Sequence, residues 1–183
     1  MDELWQLYDE QGCALEGEGA TKDDTFSKGL LHGASHVWIW RSTQDGNIEI
    51  LVQKRAADKR TWPNRYDISA AGHIDLGEDP LTTALRETVE EIGLTADKKQ
   101  LRCFGVFRAY LITDNGSREN EFQWLYLLEL SEDTPLTLQT SELESVEWVS
   151  LDTFKTSFSS SQFVPHGEAY YNSVVAAVEL ANK

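Results

Sequence analysis

Residues 72–94 read Gly-His-Ile-Asp-Leu-Gly-Glu-Asp-Pro-Leu-Thr-Thr-Ala-Leu-Arg-Glu-Thr-Val-Glu-Glu-Ile-Gly-Leu. Asp79-Pro80 can open a helix, because a proline in the first turn lacks only a donor that would be orphaned there. At 100° per residue, Glu87, Glu90 and Glu91 leave that helix within an arc about 100° wide. Leu81, Leu85, Val89 and Ile92 take the opposite arc and are expected to pack inward. Gly93 can close the helix in the left-handed conformation. Gly72 and Gly77 are expected to allow a tight turn before the helix, bringing Glu78 and a main-chain carbonyl of Gly72 toward the carboxylates. Three carboxylates on one arc repel one another unless cations lie between them. Hard oxygen donors in that number suit Mg²⁺, with Mn²⁺ as the alternative. A solvated amphipathic face is the plainer explanation of a glutamate cluster, but it leaves the glycine-bearing loop in front of the helix unexplained.

The chain has 183 residues, enough for one domain, 1–183, with a substantial core. Hydrophobic residues make up 40%, which fits a folded globule. A net charge of −15 argues against nucleic acid and against an anionic membrane surface. Asp2 and Glu3 follow the initiator, no signal pattern is evident, and no long apolar run occurs. Cys13 and Cys103 are too few for a disulfide framework, so a reduced cytoplasmic protein is expected, with a homodimer left open. Five of the sixteen basic residues, Lys54, Arg55, Lys59, Arg60 and Arg65, fall within one short stretch. In so acidic a chain they are candidates for phosphate contact, and Trp62 beside them for contact with an organic group. The competing reading is a basic loop that keeps a sheet edge soluble.

Alternation and turn residues predict a hairpin, Leu4 to Tyr8 and Cys13 to Leu15, followed by a polar connecting loop over Glu16 to Lys28. Residues 1–30 thus form an N-terminal extension. Strands are expected at His36 to Trp40, Ile48 to Gln53, Tyr66 to Ala71, Leu101 to Leu111, Phe122 to Leu130 and Val146 to Val149. Asp114-Asn115-Gly116-Ser117 is expected to turn the chain between two of them. Helices are expected at Leu151 to Lys155 and Gly167 to Ala181. This order predicts an α/β sandwich.

Seven positions carry a further signal: Gly72, five residues, Glu78, seven residues, Arg86-Glu87, two residues, Glu90-Glu91, one residue, Gly93. By chance such a match arises in a chain this short on the order of a few times in a million. The spacing resembles the signature of the Nudix family, whose members cleave a diphosphate linked to another moiety X. That resemblance implies an α/β/α sandwich with a mixed central sheet, and a divalent cation held by Gly72, Glu87, Glu90 and Glu91. Leu31-His32, Trp62-Pro63, Ser69, Gly72-His73 and Glu119-Asn120-Glu121 resemble isopentenyl-diphosphate isomerase, a Nudix-fold enzyme that moves a double bond. That enzyme has a cysteine just before the Gly-His pair; here the position is Ala71, whose methyl group cannot exchange a proton. Its metal-ligating histidine upstream of the one matching His32 is also missing, since Thr25-Phe26 stands there. The box, by contrast, is complete, with Thr88 as the one departure from an aliphatic residue.

The resemblance therefore implies an isomerase-like Nudix hydrolase that is Mg²⁺-dependent and acts on a small-molecule diphosphate. A prenyl-diphosphate isomerase and a non-catalytic sensor of a nucleotide or ADP-ribose are the two rivals. Glu90, Glu121 and Glu119 are the candidates for general base, and Arg86 is expected to orient a box glutamate through a bidentate pair. Lys54, Arg55, Lys59, Trp62 and His73 are the candidate substrate contacts. His32 is expected to be packed or hydrogen-bonded rather than ligating. Trp38, Trp40 and Trp124 are expected in the core.

Overall fold

A computed structural model describes residues 3–59, 61–113, 116–138 and 143–183. Arg60 and the Asp114-Asn115 half of the expected turn lie outside them. The strands are β1 (Leu4–Tyr8), β2 (Ala14–Thr21), β3 (His32–Ser42), β4 (Ile48–Arg55), β5 (Tyr66–Asp67), β6 (Ala70–His73), β7 (Arg102–Ile112), β8 (Arg118–Glu129) and β9 (Leu143–Ser150). The helices are α1 (Lys22–Lys28), α2 (Pro80–Ile92), α3 (Leu151–Ser157) and α4 (Glu168–Ala181). The sheet is mixed: β3 runs parallel to β8 and antiparallel to β4 and β6.

Alternation along β3 assigns the layers. Val37 and Ile39 face α2, where they meet Leu51, Ala70, Ala84, Ile92 and Leu128. Trp38 and Trp40 face the other way, against Leu125, Phe154 of α3 and Tyr170, Tyr171 and Val174 of α4. Helices cover both faces, which is the expected α/β/α sandwich. Trp38 and Trp40 are buried as expected, whereas Trp124 is half-buried beside Tyr8 and Phe122.

The helix boundaries follow local chemistry. Asp79 caps α2 by accepting from the Leu81 and Thr82 N–H groups, and Gly93 closes it with φ 65°. The expected inward arc needs one correction, because Val89 is 46% exposed while Thr88 is fully buried. Thr88 can be buried because its hydroxyl donates to the Ala84 carbonyl at 2.7 Å.

Two further expectations are corrected. Residues 16–28 are not a loop: β2 continues to Thr21, and α1 follows with Thr21 as its cap and Gly29 at its end. Glycines 17 and 19 and the run of glutamates obscured a strand whose pairing with β1 comes from the backbone. Nor is Tyr66 to Ala71 one strand. β5 pairs with β4 and β6 with β3, and Ser69 bridges the divergence by accepting from the Ile39 N–H and donating to the Leu51 carbonyl. The parting of β4 from β6 leaves a cleft lined by Gln53 and Arg55 on one bank and Ala71, Gly72 and His73 on the other.

The N-terminal hairpin closes one end of that cleft. Gln6 N–H donates to the Ile74 carbonyl and Leu76 N–H to the Leu4 carbonyl, both at 2.8 Å. The Gln6 side chain accepts from the Gly77 N–H at 3.1 Å. The loop before α2 is thereby held from the N-terminal side. No described helix is long and apolar enough to cross a membrane.

Candidate active site

The helix glutamates are inequivalent because α2 presents them at different depths. Glu91 is 7% exposed and accepts a hydrogen bond from the Ala71 main-chain N–H at 2.9 Å. Burial pushes its carboxyl up to about 8, despite that bond. Glu87 is half-buried, and burial pushes it up to about 7 against the pull of Arg86. Glu90 stands in solvent with a side chain 57% exposed. Arg86 joins the set: it donates to Glu87 at 2.6 Å, to Glu90 at 3.1 Å, to Glu78 at 3.2 Å and to the His73 carbonyl at 3.2 Å. Its Nε and Nη2 both donate to Glu78, the two-nitrogen pairing expected with a box glutamate, while Nη1 reaches Glu87 and Glu90.

Gly72 does not make the expected turn. It lies within β6, and a Cβ there would occupy the space of the Glu87 carboxyl. Glycine is needed for close approach, while the positive φ of the loop, 86°, belongs to Gly77.

A second cluster forms on the other side of β6. By register, His32, His73 and Glu121 share the sheet face that carries Trp38 and Leu125, opposite to α2. Their ligand atoms lie within 4.8 Å of one another. His32 is fully buried, and its Nδ1 lies 3.0 Å from the Leu30 carbonyl, which can only accept. Nδ1 therefore carries the proton, and in the neutral ring Nε2 presents a bare lone pair. Among the described residues that Nε2 has no hydrogen-bond partner, and it sits 3.4 Å from the Glu121 carboxylate. Two acceptors facing each other in a buried site fit a cation between them. Burial holds His73 down at about 3.

His32 is buried and hydrogen-bonded as expected, and it also joins a group of possible metal donors. Glu119 and Glu121 do not border the α2 carboxylates directly. Glu121 reaches the cleft only through His73, and Glu119 lines a neighbouring cavity with Trp62, Phe107, Gln123 and His166. Alternation along β8 puts both glutamates on the α4 face.

Arg55 and Lys59 line the main cleft, of about 620 Å³, with Glu87, Glu90 and Glu91. Lys54 does not, since alternation along β4 turns it away to pair with Glu144 at 3.2 Å. Trp62 lies outside the main cleft, in the second cavity of about 250 Å³. Its φ of 50° is unusual for a bulky residue, and its buried indole N–H has no partner among the described residues. Asp67, which the sequence did not single out, is buried between Arg55 at 2.9 Å and His166 at 2.8 Å. These two partners hold it ionised although burial opposes that. The sequence reading also missed Trp5, Lys22 and Phe26, which line the cleft from the hairpin and α1. Thr21 and Gly29, flanking a seven-residue helix, were the available signal.

Residues 31–167 match the family model described as NUDIX domain. Nudix hydrolase 3 of Arabidopsis thaliana is 33% identical over 156 residues, covering 82% of this chain; the match spans only 20% of that longer protein. An uncharacterized Nudix hydrolase of Listeria innocua is 30% identical, covering 90% of this chain and 89% of its own. An isopentenyl-diphosphate Delta-isomerase of Aliivibrio fischeri is 31% identical over 81% of this chain and 80% of its own. Among solved structures, DR0079 from Deinococcus radiodurans superposes with a TM-score of 0.69 at 16% identity, covering 96% of this chain and 99% of its own. The NUDIX domain of Shewanella oneidensis NrtR, solved with ADP ribose, gives 0.61 at 14% identity, covering 94% of each. With its glutamate helix capped and placed as the spacing required, and with most of its length matched, the chain belongs to the Nudix family.

Proposed function

We propose that the protein is a Mg²⁺-dependent hydrolase of the diphosphate linkage in a nucleoside-diphosphate-X or another organic diphosphate. The observation that carries this reading is the pair Glu87 and Glu91. Both carboxyls are pushed toward neutrality by burial at the edge of an open cleft that also holds Arg55 and Lys59. Buried carboxyls so crowded are the environment a divalent cation relieves. Glu87, Glu90 and Glu91 would hold Mg²⁺ or Mn²⁺ together with a main-chain oxygen at Gly72, and His32, His73 and Glu121 would hold a second cation. When bound, such cations draw charge from a diphosphate and lower the pKa of water.

The chain's own residues supply the rest. Arg55, held by Asp67 and the Thr61 carbonyl, and Lys59 take up phosphate charge. Arg86 fixes Glu78 and Glu87 so that their free oxygens stay in place. Glu90, the most exposed of the three helix glutamates, takes the proton from the attacking water; Glu119 and Glu121 are the alternative bases. The Trp62 cavity, whose tryptophan follows the cleft-lining Thr61 in the chain, receives the X moiety.

The isomerase reading draws on the Aliivibrio fischeri relative and on the histidine cluster. Against it stands Ala71, whose side chain offers no transferable proton. The test is phosphate release across nucleoside diphosphates and triphosphates, nucleotide sugars, prenyl diphosphates and thiamine-type diphosphates, with Mg²⁺ and with chelator. Mg²⁺-dependent release from at least one class is expected. Tight binding of ADP-ribose with no release from any class would favour the sensor instead.

A further inference from the structure

The hairpin that precedes the matched family region supplies an aromatic wall to the histidine cluster. Trp5, 3% exposed, stacks on the His73 ring with centroids 3.6 Å apart and planes 8° from parallel. The same indole lies 5.3 Å from His32 at 23°, so it covers both imidazoles. Phe26 meets Trp5 edge-on at 5.4 Å. The indole N–H donates to Glu3 at 3.0 Å, and the flanking Gln6 backbone is bonded to Ile74, one residue from His73. Trp5 and His73 are therefore fixed relative to each other by main chain as well as by ring contact.

What makes the stack consequential is a difference between the two histidines. A ligating imidazole ordinarily has its other nitrogen tied to a carbonyl or carboxylate, which sets its rotation. His32 has that tie, to the Leu30 carbonyl. Among the described residues neither ring nitrogen of His73 has a hydrogen bond; Glu121 lies 3.7 Å from its Nε2. Among the described residues no hydrogen bond sets the plane of the His73 ring; the indole face stacked on it does.

The geometry points to Trp5 as the positioning residue of this centre: by stacking on His73 it holds the imidazole in the plane from which Nε2 faces Glu121 and the bare nitrogen of His32. The inference rests on reading His32, His73 and Glu121 as a cation site, and it makes the N-terminal hairpin, residues 4–21, a working part of the site. Phenylalanine at residue 5 keeps a stacking ring, whereas leucine keeps apolar bulk without one.

The test uses Mn²⁺ as probe with the full-length protein and its Trp5→Phe and Trp5→Leu variants at one fixed pH. Pulsed electron paramagnetic resonance reads nitrogen coupling from ligating imidazole, and an Mn²⁺ titration reads affinity. The native protein and Trp5→Phe should show coupling from two imidazoles. Trp5→Leu should lose one of them and bind about tenfold more weakly at the nitrogen-bearing site. Thermal melts check that both variants are folded, and Trp5→Met repeats the ring-free arm if Trp5→Leu is not. Equal coupling and affinity in native, Phe and ring-free variants would overturn the role of Trp5 while leaving the cation site standing. Absence of nitrogen coupling in the native protein would remove the cation site itself, and the inference with it.

Discussion

Gly72 in β6 lies so close to the Glu87 carboxyl of α2 that a methyl group at residue 72 would take its place. The strand can carry only glycine there without moving the helix glutamate. Gly72→Ala should therefore displace Glu87 and lower turnover at least about tenfold, with a loss of stability of about 1–3 kcal/mol from overpacking. Steady-state kinetics and a denaturant melt read the two effects. Full activity in a Gly72→Ala protein would mean that Glu87 is not needed where it stands.

Glu91→Gln keeps the shape of the side chain and its acceptance of the Ala71 N–H, but removes the charge. Turnover should fall by about two to three orders of magnitude. Because Glu91 is buried rather than on an open face, the substitution also removes an ionisation that burial disfavours. The metal-free variant should thus melt above the metal-free native protein near pH 8. Unchanged turnover with saturating Mg²⁺ would move the metal site elsewhere.

The raised carboxyls set the sign of a pH effect. Glu87 and Glu91 titrate near 7 and 8 in the folded chain, against an ordinary value of 4.5. Between those values these two groups bind more protons in the folded state than in the unfolded one, so their contribution to metal-free stability falls as pH rises from about 4.5 to about 8. Mg²⁺ favours the ionised forms. The gap in melting temperature between Mg²⁺ and chelator should consequently widen from pH 6 to pH 8, by about 2–4 °C for each ~1 kcal/mol recovered. A gap independent of pH would separate these two glutamates from cation binding.

Lys54 and Lys59 make a matched pair. Lys59 lines the cleft and Lys54 is paired with Glu144 outside it. Lys59→Ala should raise KM for a diphosphate substrate about tenfold, the loss of one charge-assisted contact. Lys54→Ala should leave KM within about twofold, as expected for an exposed ion pair. The reverse ranking would place the phosphates against β9.

Ala71 separates the hydrolase from the isomerase. In heavy water with Mg²⁺, isopentenyl diphosphate should take up no deuterium at carbon, whether or not phosphate is released. Mass spectrometry of the recovered carbon skeleton reads this directly. Deuterium uptake without phosphate release would show that another group provides the proton and that the hydrolase assignment is wrong.

What the sequence determined was local. The spacing of Glu87, Glu90 and Glu91, the cap at Asp79 and the stop at Gly93 all lie within one fifteen-residue segment, and the 3.6-residue period orients such a segment without reference to anything distant. The last helix and the central strand were legible for a similar reason, since the apolar spacing of α4 reports one buried face and the unbroken apolar run Val37 to Trp40 a strand covered on both. Tertiary structure decided the rest. The meeting of Trp5, His32, His73 and Glu121 depends on β1 pairing with the loop before α2, and on β8 pairing with β3 so that His32 lies beside Glu121. A one-residue slip in either pairing would turn those side chains to the other face, and no periodicity within a strand specifies its register with another. The purpose of Gly72 was hidden likewise: the sequence marks a glycine, but only the packing of α2 on β6 shows that it makes room for Glu87.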